Sequence, residues 1–243
     1  MPKLDVAFVL ELVPEELGQL KTVVIDVLRA TSTIVAAMSA GVPYIVPVAT
    51  VEAATRLAAD YAERGGCYLG GERNKLPPPG FDCGNSPLEY LQLSSEKPVV
   101  FTTTNGTRAL NRVIDSKEIL IGSLGNAAAV AEVLVTSPED ILLVCSGTLG
   151  QIAAEDVLCA GLIIQEMQNR ATVLLTDAAR IALASYQRVA GNLTEYLLQT
   201  RSGQGLSQLG LERDVLHAAE VNYSPVIPKF TDGRIIAWES SRA

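Results

Sequence analysis

The stretch Thr22-Val-Val-Ile-Asp26-Val-Leu-Arg29-Ala-Thr31-Ser32-Thr33-Ile-Val-Ala-Ala-Met-Ser-Ala-Gly41 decides how the fold of this chain is interpreted. The apolar run before Asp26 predicts a strand that is buried on both faces. The small apolar residues after Thr33 predict a helix, which Gly41 and the following Pro43 end. The arginine and the three hydroxyl residues therefore lie where a strand ends and a helix begins. Free N–H groups and the helix dipole favour an anion at such a position.

Two side chains of this stretch carry charge. Arg29 offers donors in a fork that suits phosphate or carboxylate, and Asp26 can bind a hard cation. The alternative is a capped helix with an Asp and an Arg on its surface, since Ser and Thr are common helix caps. Both interpretations stay open for each residue taken alone.

The rest of the chain alternates between strand patterns and helix patterns. Strands are predicted at 3–10, 22–26, 44–48, 99–102, 118–121 and 141–144, with a short extended piece at 67–69. Helices are predicted at 51–64, 109–113, 127–135, 155–170 and in several pieces of 172–220. The tail, 226–239, predicts a hairpin around an Asp-Gly turn. This order predicts one α/β domain over residues 1–243, with three α/β/α layers around a mixed, largely parallel sheet. The first and last strands are candidates for antiparallel pairing.

Composition and charge exclude several classes of protein. The chain has 243 residues, a formal net charge of -8 and no basic cluster, which argues against nucleic acid and anionic membranes as partners. No apolar run is long enough to span a membrane, and the N-terminus lacks the form of a signal peptide. The four cysteines match no zinc pattern, so we expect free thiols and a cytoplasmic location. The assembly is left open, with a homodimer as one alternative.

Polar loops follow four of the predicted strands, at 26–33, 102–108, 122–126 and 145–150. In open α/β sheets the ligand binds beyond the carboxyl ends of the strands, so we expect these loops to meet there. The stretch 70–87 is rich in Gly and Pro and is the longest irregular segment. Because long loops of this kind are often functional, we interpret it as an active-site loop.

Familiar catalytic motifs are absent. The chain has neither a P-loop nor a strand followed by G-x-G-x-x-G. Cys145 follows a strand as in thiol phosphatases, but Gln151 occupies the sixth place after it, where such enzymes need an arginine. The segment Asp26-Val-Leu-Arg29 lacks the second Asp that aspartyl-phosphate phosphatases use. Neither covalent mechanism is therefore supported.

What remains is a set of anion ligands and carboxylates. Three arginines are expected at the mouth of the sheet, namely Arg29, Arg73 and Arg108. Neutral donors for a substrate are expected from Thr31, Ser32, Thr33, Thr103, Thr104, Asn105, Thr107, Ser146 and Gly147. Metal ligands are expected among Asp26, Glu72, Glu155 and Asp156, although Mg²⁺ usually takes only one or two protein carboxylates. For Glu155 and Asp156 the alternative is a structural role, because acidic residues in the first turn of a helix interact favourably with its dipole. The residues alone indicate a protein that binds or hydrolyses a small phosphorylated anion with a metal.

Several segments together resemble the 2-phosphosulfolactate phosphatase family. They are 24–33, 70–74, 79–87, 102–107, 145–147 and 155–156, they follow the order of the family, and they span about residues 3–238. The resemblance implies a Mg²⁺-dependent acid phosphatase that converts 2-phosphosulfolactate to sulfolactate and phosphate, a step towards coenzyme M. A substrate with several negative charges would also explain three arginines in the loops of an acidic protein.

We expect Asp26, Arg29 and Asp156 to be the catalytic residues. In this mechanism water attacks phosphorus in line, and Mg²⁺ and arginines stabilise the developing charge. Asp26 or Asp156 orients or deprotonates the water. Lys75 and Cys83 are not assigned to the site. Two alternatives stay open: a phosphatase for another small 2-phospho-carboxylic acid, such as phospholactate or phosphoglycolate, and a non-catalytic anion-binding protein.

Overall fold

The structure is a computed structural model that describes residues 2–93 and 96–238. Within these residues ten strands form one sheet. The strands are β1 Lys3–Ala7, β2 Lys21–Ile25, β3 Ile45–Pro47, β4 Tyr68–Gly71, β5 Val99–Thr102, β6 Glu118–Gly122, β7 Ile141–Cys145, β8 Leu174–Leu175, β9 Pro228–Thr231 and β10 Arg234–Ala237.

Helices follow most of the strands. They are α1 Ala30–Ser39, α2 Val51–Ala62, α3 Pro87–Tyr90, α4 Gly106–Arg112, α5 Ala127–Val135, α6 Ala154–Gln168, α7 Asp177–Val189, α8 Leu193–Gln199, α9 Arg201–Ser207 and α10 Glu212–Ala218. Three short 3₁₀ segments lie at Leu10–Leu12, Leu124–Asn126 and Ala190–Asn192. In the described part of the chain no helix combines the length and the apolar character that crossing a bilayer requires.

The sheet joins two parallel groups of strands through the C-terminal hairpin. Its order is β4-β5-β3-β10-β9-β6-β2-β7-β1-β8. Strands β9 and β10 are antiparallel to each other, and they pair antiparallel with β6 and β3 respectively. The predicted α/β class and the mixed, largely parallel sheet are confirmed.

Two strand predictions need correction. The first strand is parallel to both of its neighbours, β7 and β8, so antiparallel pairing is confined to the hairpin at the other end of the chain. Strand β8 was missed, because two leucines are too short a run to show a period. The predicted end of the last strand, at residue 239, lies outside the described residues.

Each face of the sheet packs against its own layer of helices. Val23 and Ile25 belong to a core with α5 and α6, whereas Val24 between them belongs to a second core with α1 and α4. Alternate residues of a strand point to opposite faces, so a strand without a polar side is what a covered sheet requires. The two cores account for the unbroken apolar run before Asp26 and for the three layers.

The parallel register brings distant loops to one edge of the sheet. Ile25, the last residue of β2, is paired with Gly122 of β6 and with Cys145 of β7. The loops after these strands therefore begin at the same level, and the backbone N–H of Ser146 donates to the carbonyl of Ile25. The candidate site lies at this edge.

Candidate active site

A cavity of about 200 Å³ opens beyond the carboxyl ends of β2 and β5. Six predicted site residues line it: Asp26, Arg29, Glu72, Thr103, Thr104 and Asn105. A second cavity, of about 290 Å³, adjoins the first, since Thr148 and Ser202 line both, and Glu155 lies on its wall. The loops after β2, β4, β5 and β7 thus contribute to one region.

Asp26 directly follows β2 and is almost entirely buried. Burial, together with the charges of Glu72 and Glu155, raises the pKa of its carboxyl group to about 7, although the charge of Arg29 opposes this. Three carboxyl groups therefore repel one another at the cavity. Such an arrangement favours a bound proton or a bound cation.

The two glutamates differ in their partners. Both oxygens of Glu72 accept backbone N–H groups, one from Lys75 at 2.9 Å and one from Thr104 at 2.8 Å, so this side chain joins the loops after β4 and β5. Glu155 is 2% exposed, and its carboxylate has no hydrogen bond or ion pair within residues 2–93 and 96–238. A buried carboxylate is costly without a partner. Glu155 is therefore the clearer candidate for a cation ligand.

Asp156 lies beneath the cavity and lines neither cavity. Its carboxylate accepts hydrogen bonds from the backbone N–H of Val27 at 2.8 Å, the backbone N–H of Gly147 at 3.1 Å and the hydroxyl of Ser146 at 3.1 Å. Burial and the charges of Asp26 and Glu155 raise the pKa of Asp156 well above its usual value. Asp156 thus joins the loops after β2 and β7, which are brought together as predicted.

The three consecutive hydroxyl residues of α1 all have backbone partners. Thr31 Oγ1 accepts from the N–H of Asp26, Ser32 Oγ donates to the carbonyl of Val27, and Thr33 Oγ1 donates to the carbonyl of Asn85. Helix α1 begins at Ala30, so the hydroxyls lie inside its first turn and hold the preceding loop. They do not line either cavity. Their role as substrate ligands stays a prediction that this geometry does not favour.

Arg29 lines the cavity and also forms a buried ion pair. Its Nη1 lies 2.7 Å from Oδ2 of Asp214, and both side chains are only 3% exposed. Its Nη2 donates to the carbonyl of Lys75, and Ser86 donates to the other oxygen of Asp214. The partner on α10 was not foreseen, because it lies 185 residues further along the chain.

Two of the predicted arginines do not line the cavity, so their role as substrate ligands stays a prediction. The guanidinium of Arg73 donates to the carbonyls of Glu72 and Ala49 and to the hydroxyl of Thr102, so it holds the loop after β4. Arg108 is exposed on α4 and lines a separate groove. Thr107 is also internal, since its hydroxyl accepts from the N–H of Thr103.

The loop at 122–126 does not reach the cavity. Ser123 and Asn126 cap each other, and the amide nitrogen of Asn126 donates to the carbonyls of Ile121 and Val226. This loop therefore holds the segment before the C-terminal hairpin. Of the four polar loops predicted to meet, three do so.

Among the cavity-wall residues that were not predicted as site residues, Lys75 and Asn85 carry the chemistry of most interest. Burial, together with the charges of Arg29 and Arg201, lowers the pKa of the Lys75 ammonium, while Glu155 and Glu72 oppose this. Asn85 is 4% exposed, and its Oδ1 is buried without a hydrogen-bond partner among the described residues. A buried orphan acceptor beside a cavity indicates a ligand that completes it.

Unusual backbone conformations collect around this cavity. Asn74, Lys75 and Leu149 have positive φ angles of 54°, 70° and 55°, and all three line it. Side chains other than glycine rarely adopt this region, and such residues cluster at functional sites. Two of these residues, Asn74 and Lys75, lie in the loop after β4, so its unusual backbone conformation occurs at the cavity wall. This agrees with the interpretation of the loop as an active-site loop.

The structure supports the exclusion of a thiol mechanism. All four cysteines are free, and Cys145 at the end of β7 is fully buried, with a thiol pKa raised well above its usual value by burial first and by the charge of Asp156 next. A neutral, enclosed thiol is a poor nucleophile.

Cys145→Ala should retain wild-type kcat/KM for phosphate release. Loss of the buried sulfur should cost about 1 kcal/mol of stability. Steady-state kinetics and a denaturant titration check both numbers. If the variant folds and binds substrate but releases no phosphate, a covalent thiophosphate intermediate must replace the water mechanism.

The predicted cluster of four metal ligands is not arranged as one metal site. Among the described residues, no group of three or more His, Cys, Asp or Glu side chains is placed to hold a metal ion. The donors nevertheless suit Mg²⁺, which takes one or two carboxylates and fills its other positions with water and phosphate oxygens. Asp26 and Glu155 fit this demand better than the other two. Both oxygens of Glu72 and both of Asp156 accept backbone N–H groups, whereas Asp26 has one backbone donor, Ala30.

Comparisons with known proteins converge on one family. A family model described as 2-phosphosulpholactate phosphatase matches residues 8–233. Two relatives named "Probable 2-phosphosulfolactate phosphatase" are each 39% identical: one from Symbiobacterium thermophilum, over 93% of this chain and 97% of its own length, and one from Carboxydothermus hydrogenoformans, over 99% and 98%. A relative of the same name from Thermotoga petrophila is 41% identical, over 89% and 92%.

Proposed function

We propose the reaction of this chain from one premise, which is that it belongs to the 2-phosphosulfolactate phosphatase family and is a phosphoric monoester hydrolase of that type. The reaction is hydrolysis of 2-phosphosulfolactate to sulfolactate and inorganic phosphate, as in a step towards coenzyme M. The observation that carries the proposal is the cavity where Asp26, Glu72 and Arg29 converge at the carboxyl edge of the sheet. The free cysteines support a cytoplasmic location.

Mg²⁺ is the proposed cofactor, held by Asp26 and Glu155. The support is electrostatic, since burial and two neighbouring carboxylates raise the pKa of Asp26 and Glu155 lacks any partner among the described residues. Bound Mg²⁺ would supply charge stabilisation for the phosphoryl group. Glu72 contributes negative charge and fixes the loops on either side.

The other steps belong to the residues of the chain. Arg29 holds a phosphate oxygen while Asp214 fixes its guanidinium in place. The amide nitrogen of Asn85 donates to the anionic substrate, whereas its orphan Oδ1 is an acceptor and is completed by a water or a cation. Asp26 orients the attacking water and accepts its proton. Asp156 is left out of this role, because its carboxylate is used to join two loops.

Phosphate-release assays test the proposal. The panel is 2-phosphosulfolactate, phospholactate and phosphoglycolate, each with Mg²⁺ and with EDTA. We expect the highest kcat/KM for 2-phosphosulfolactate with Mg²⁺ and loss of release with EDTA. A higher value for another member of the panel would reassign the substrate, and release from none would contradict hydrolysis.

Mg²⁺ should stabilise the protein more at pH 8 than at pH 6. The pKa of Asp26 is about 7 in the folded protein against a usual value of 3.8, so the metal-free folded state keeps a proton that the unfolded state loses. Its free energy of unfolding therefore falls as the pH rises between these values. A cation at Asp26 must displace that proton, so its effect grows with pH. Melting temperatures with and without saturating Mg²⁺ check this.

Asp26→Asn is the control for that experiment. It should remove the pH dependence of the Mg²⁺ effect and reduce the fall in metal-free stability, of which the part due to the raised pKa of Asp156 remains. An equal Mg²⁺ shift at pH 6 and pH 8 in the wild-type protein would place the cation away from Asp26.

A further inference from the structure

The ammonium group of Lys75 lies at the cavity and has no hydrogen-bond or ion-pair partner among the described residues. Its backbone is fixed, since the N–H donates to Glu72 Oε2 at 2.9 Å and the carbonyl accepts from Arg29 Nη2 at 2.6 Å. Its Nζ makes no hydrogen bond or ion pair within the part of the chain that the structure describes. A half-buried charge held in place normally has a counter-charge. The position of Lys75 therefore indicates an anion that comes from outside the chain.

Gly205 of α9 determines where this ammonium lies. A Cβ atom at Gly205 would be 1.9 Å from Lys75 Nζ and 3.3 Å from its Cε, so the ammonium occupies the space that any other residue would fill. Arg201 lies four residues earlier in the same helix and thus on the same face. Helix α9 therefore both seats the ammonium and supplies a second cation beside it.

Unlike Arg29, Lys75 and Arg201 form no ion pair with a carboxylate in residues 2–93 and 96–238. The charge of Arg29 is balanced by Asp214. Arg201 donates through Nη1 to the neutral amide of Gln151 at 2.8 Å and forms no ion pair with any described residue. Arg201 lines the second cavity and Lys75 lines the first. Lys75, which feels Glu72 and Glu155 only at a distance, and the exposed Arg201 thus lie on the walls of two adjoining cavities, each without an ion pair among the described residues.

We propose that Lys75 and Arg201 bind a second anionic group, a carboxylate or a sulfonate, which the substrate carries beside its phosphate. This rests on the proposed function, which places the phosphate between Asp26, Glu155 and Arg29. Residues 75, 201 and 205 would then set the preference for 2-phosphosulfolactate over phosphate monoesters that lack a second acidic group.

Lys75→Met tests the subsite through selectivity. The two substrates are 2-phosphosulfolactate and isopropyl phosphate. Both are phosphate monoesters of a secondary alcohol, but isopropyl phosphate has no acidic group besides its phosphate. Losing one charge-assisted hydrogen bond should lower the ratio of the two kcat/KM values about tenfold to hundredfold, mainly through a higher KM for the acidic substrate. An equal loss on both substrates, which leaves the ratio at its wild-type value, would overturn the proposal.

Gly205→Ala displaces the ammonium without removing its charge. Alanine favours a helix more than glycine does, so stability should not fall, yet the selectivity ratio should fall, though less than in Lys75→Met, because the end of a flexible lysine shifts and keeps its charge. Gly191→Ala is the matched control, because a Cβ there has nothing within 4 Å. A wild-type ratio in Gly205→Ala would contradict the assigned position of Nζ.

A binding measurement separates failure of the subsite from failure of the proposed function. Sulfolactate, which has no phosphate, should raise the melting temperature of the wild-type protein and raise it much less in Lys75→Met. Inorganic phosphate should still stabilise the variant. If the wild-type protein released no phosphate from any ester, the function would fail while this result upheld the subsite. No stabilisation of the wild-type protein by sulfolactate would overturn the subsite alone.

Discussion

Asp26→Asn should abolish phosphate release and, at the same time, raise the melting temperature of the metal-free protein at pH 8. The activity should fall at least about a hundredfold and by up to ten-thousandfold, the range for loss of a general base. The stability should rise because the neutral amide ends the repulsion from Glu72 and Glu155 and lowers the cost of burial. Steady-state kinetics and thermal unfolding check the two signs. If Asp26 were needed only for folding, its substitution would lower the activity and the melting temperature together.

Asp156→Asn is the matched comparison, and it should be less stable than Asp26→Asn. Burial and the charges of Asp26 and Glu155 also raise the pKa of Asp156, so a neutral amide relieves the same cost there, but it also breaks hydrogen bonds that hold two loops. One carboxylate oxygen accepts from Val27, and the other accepts from Gly147 and Ser146. An asparagine must turn an NH₂ group towards one of these backbone N–H donors, which leaves a buried donor unsatisfied at a cost of about 1–3 kcal/mol. If Asp156→Asn were as stable as Asp26→Asn and inactive, the water-orienting role would pass to Asp156. Full activity in Asp26→Asn would remove Asp26 from catalysis.

The position of the site could be predicted from local patterns and one topological rule. The apolar runs that end at Ile25 and Cys145 predict buried strands, and parallel strands place their carboxyl ends at one edge. The contact between the loop at Asp26 and the start of α6 follows from this rule, although 129 residues separate Val27 from Asp156. The position of the C-terminal hairpin inside the sheet could not be predicted, because no local pattern specifies which strands it pairs with.

The direction of individual side chains could not be predicted in the same way. A hydroxyl near a helix start can face a ligand or its own backbone, and Thr31 and Ser32 bond to the backbone. The ion-pair partner of Arg29 is Asp214 on α10, and no local sequence pattern places that helix beside Arg29. Lys75 was left out because its relevance depends on Gly205, which is 130 positions away and carries no signal of its own. Residue types thus indicated the chemistry, and tertiary packing selected the residues.

Arg29→Ala should destabilise the protein by about 3–5 kcal/mol, because it leaves Asp214 buried and charged without its partner. Arg29→Lys should lose less, since the ammonium keeps the charge but lacks the fork that reaches both Asp214 and the carbonyl of Lys75. Urea unfolding curves measure both values. Equal stability of Arg29→Ala and the wild-type protein would contradict the buried ion pair.

A double variant separates the structural role of Arg29 from its role in the reaction. Arg29→Met with Asp214→Leu removes both charges, so it should recover much of the stability that Arg29→Ala loses. Phosphate release should stay low in this variant, because no guanidinium remains to hold the phosphate. Asp214→Asn keeps the guanidinium of Arg29 but removes the carboxylate that holds it in place. It should therefore lower kcat/KM less than Arg29→Ala does. If the double variant regained activity along with stability, Arg29 would be a structural residue at the cavity wall. The phosphate would then have to be held by Asn85, Lys75 and Arg201.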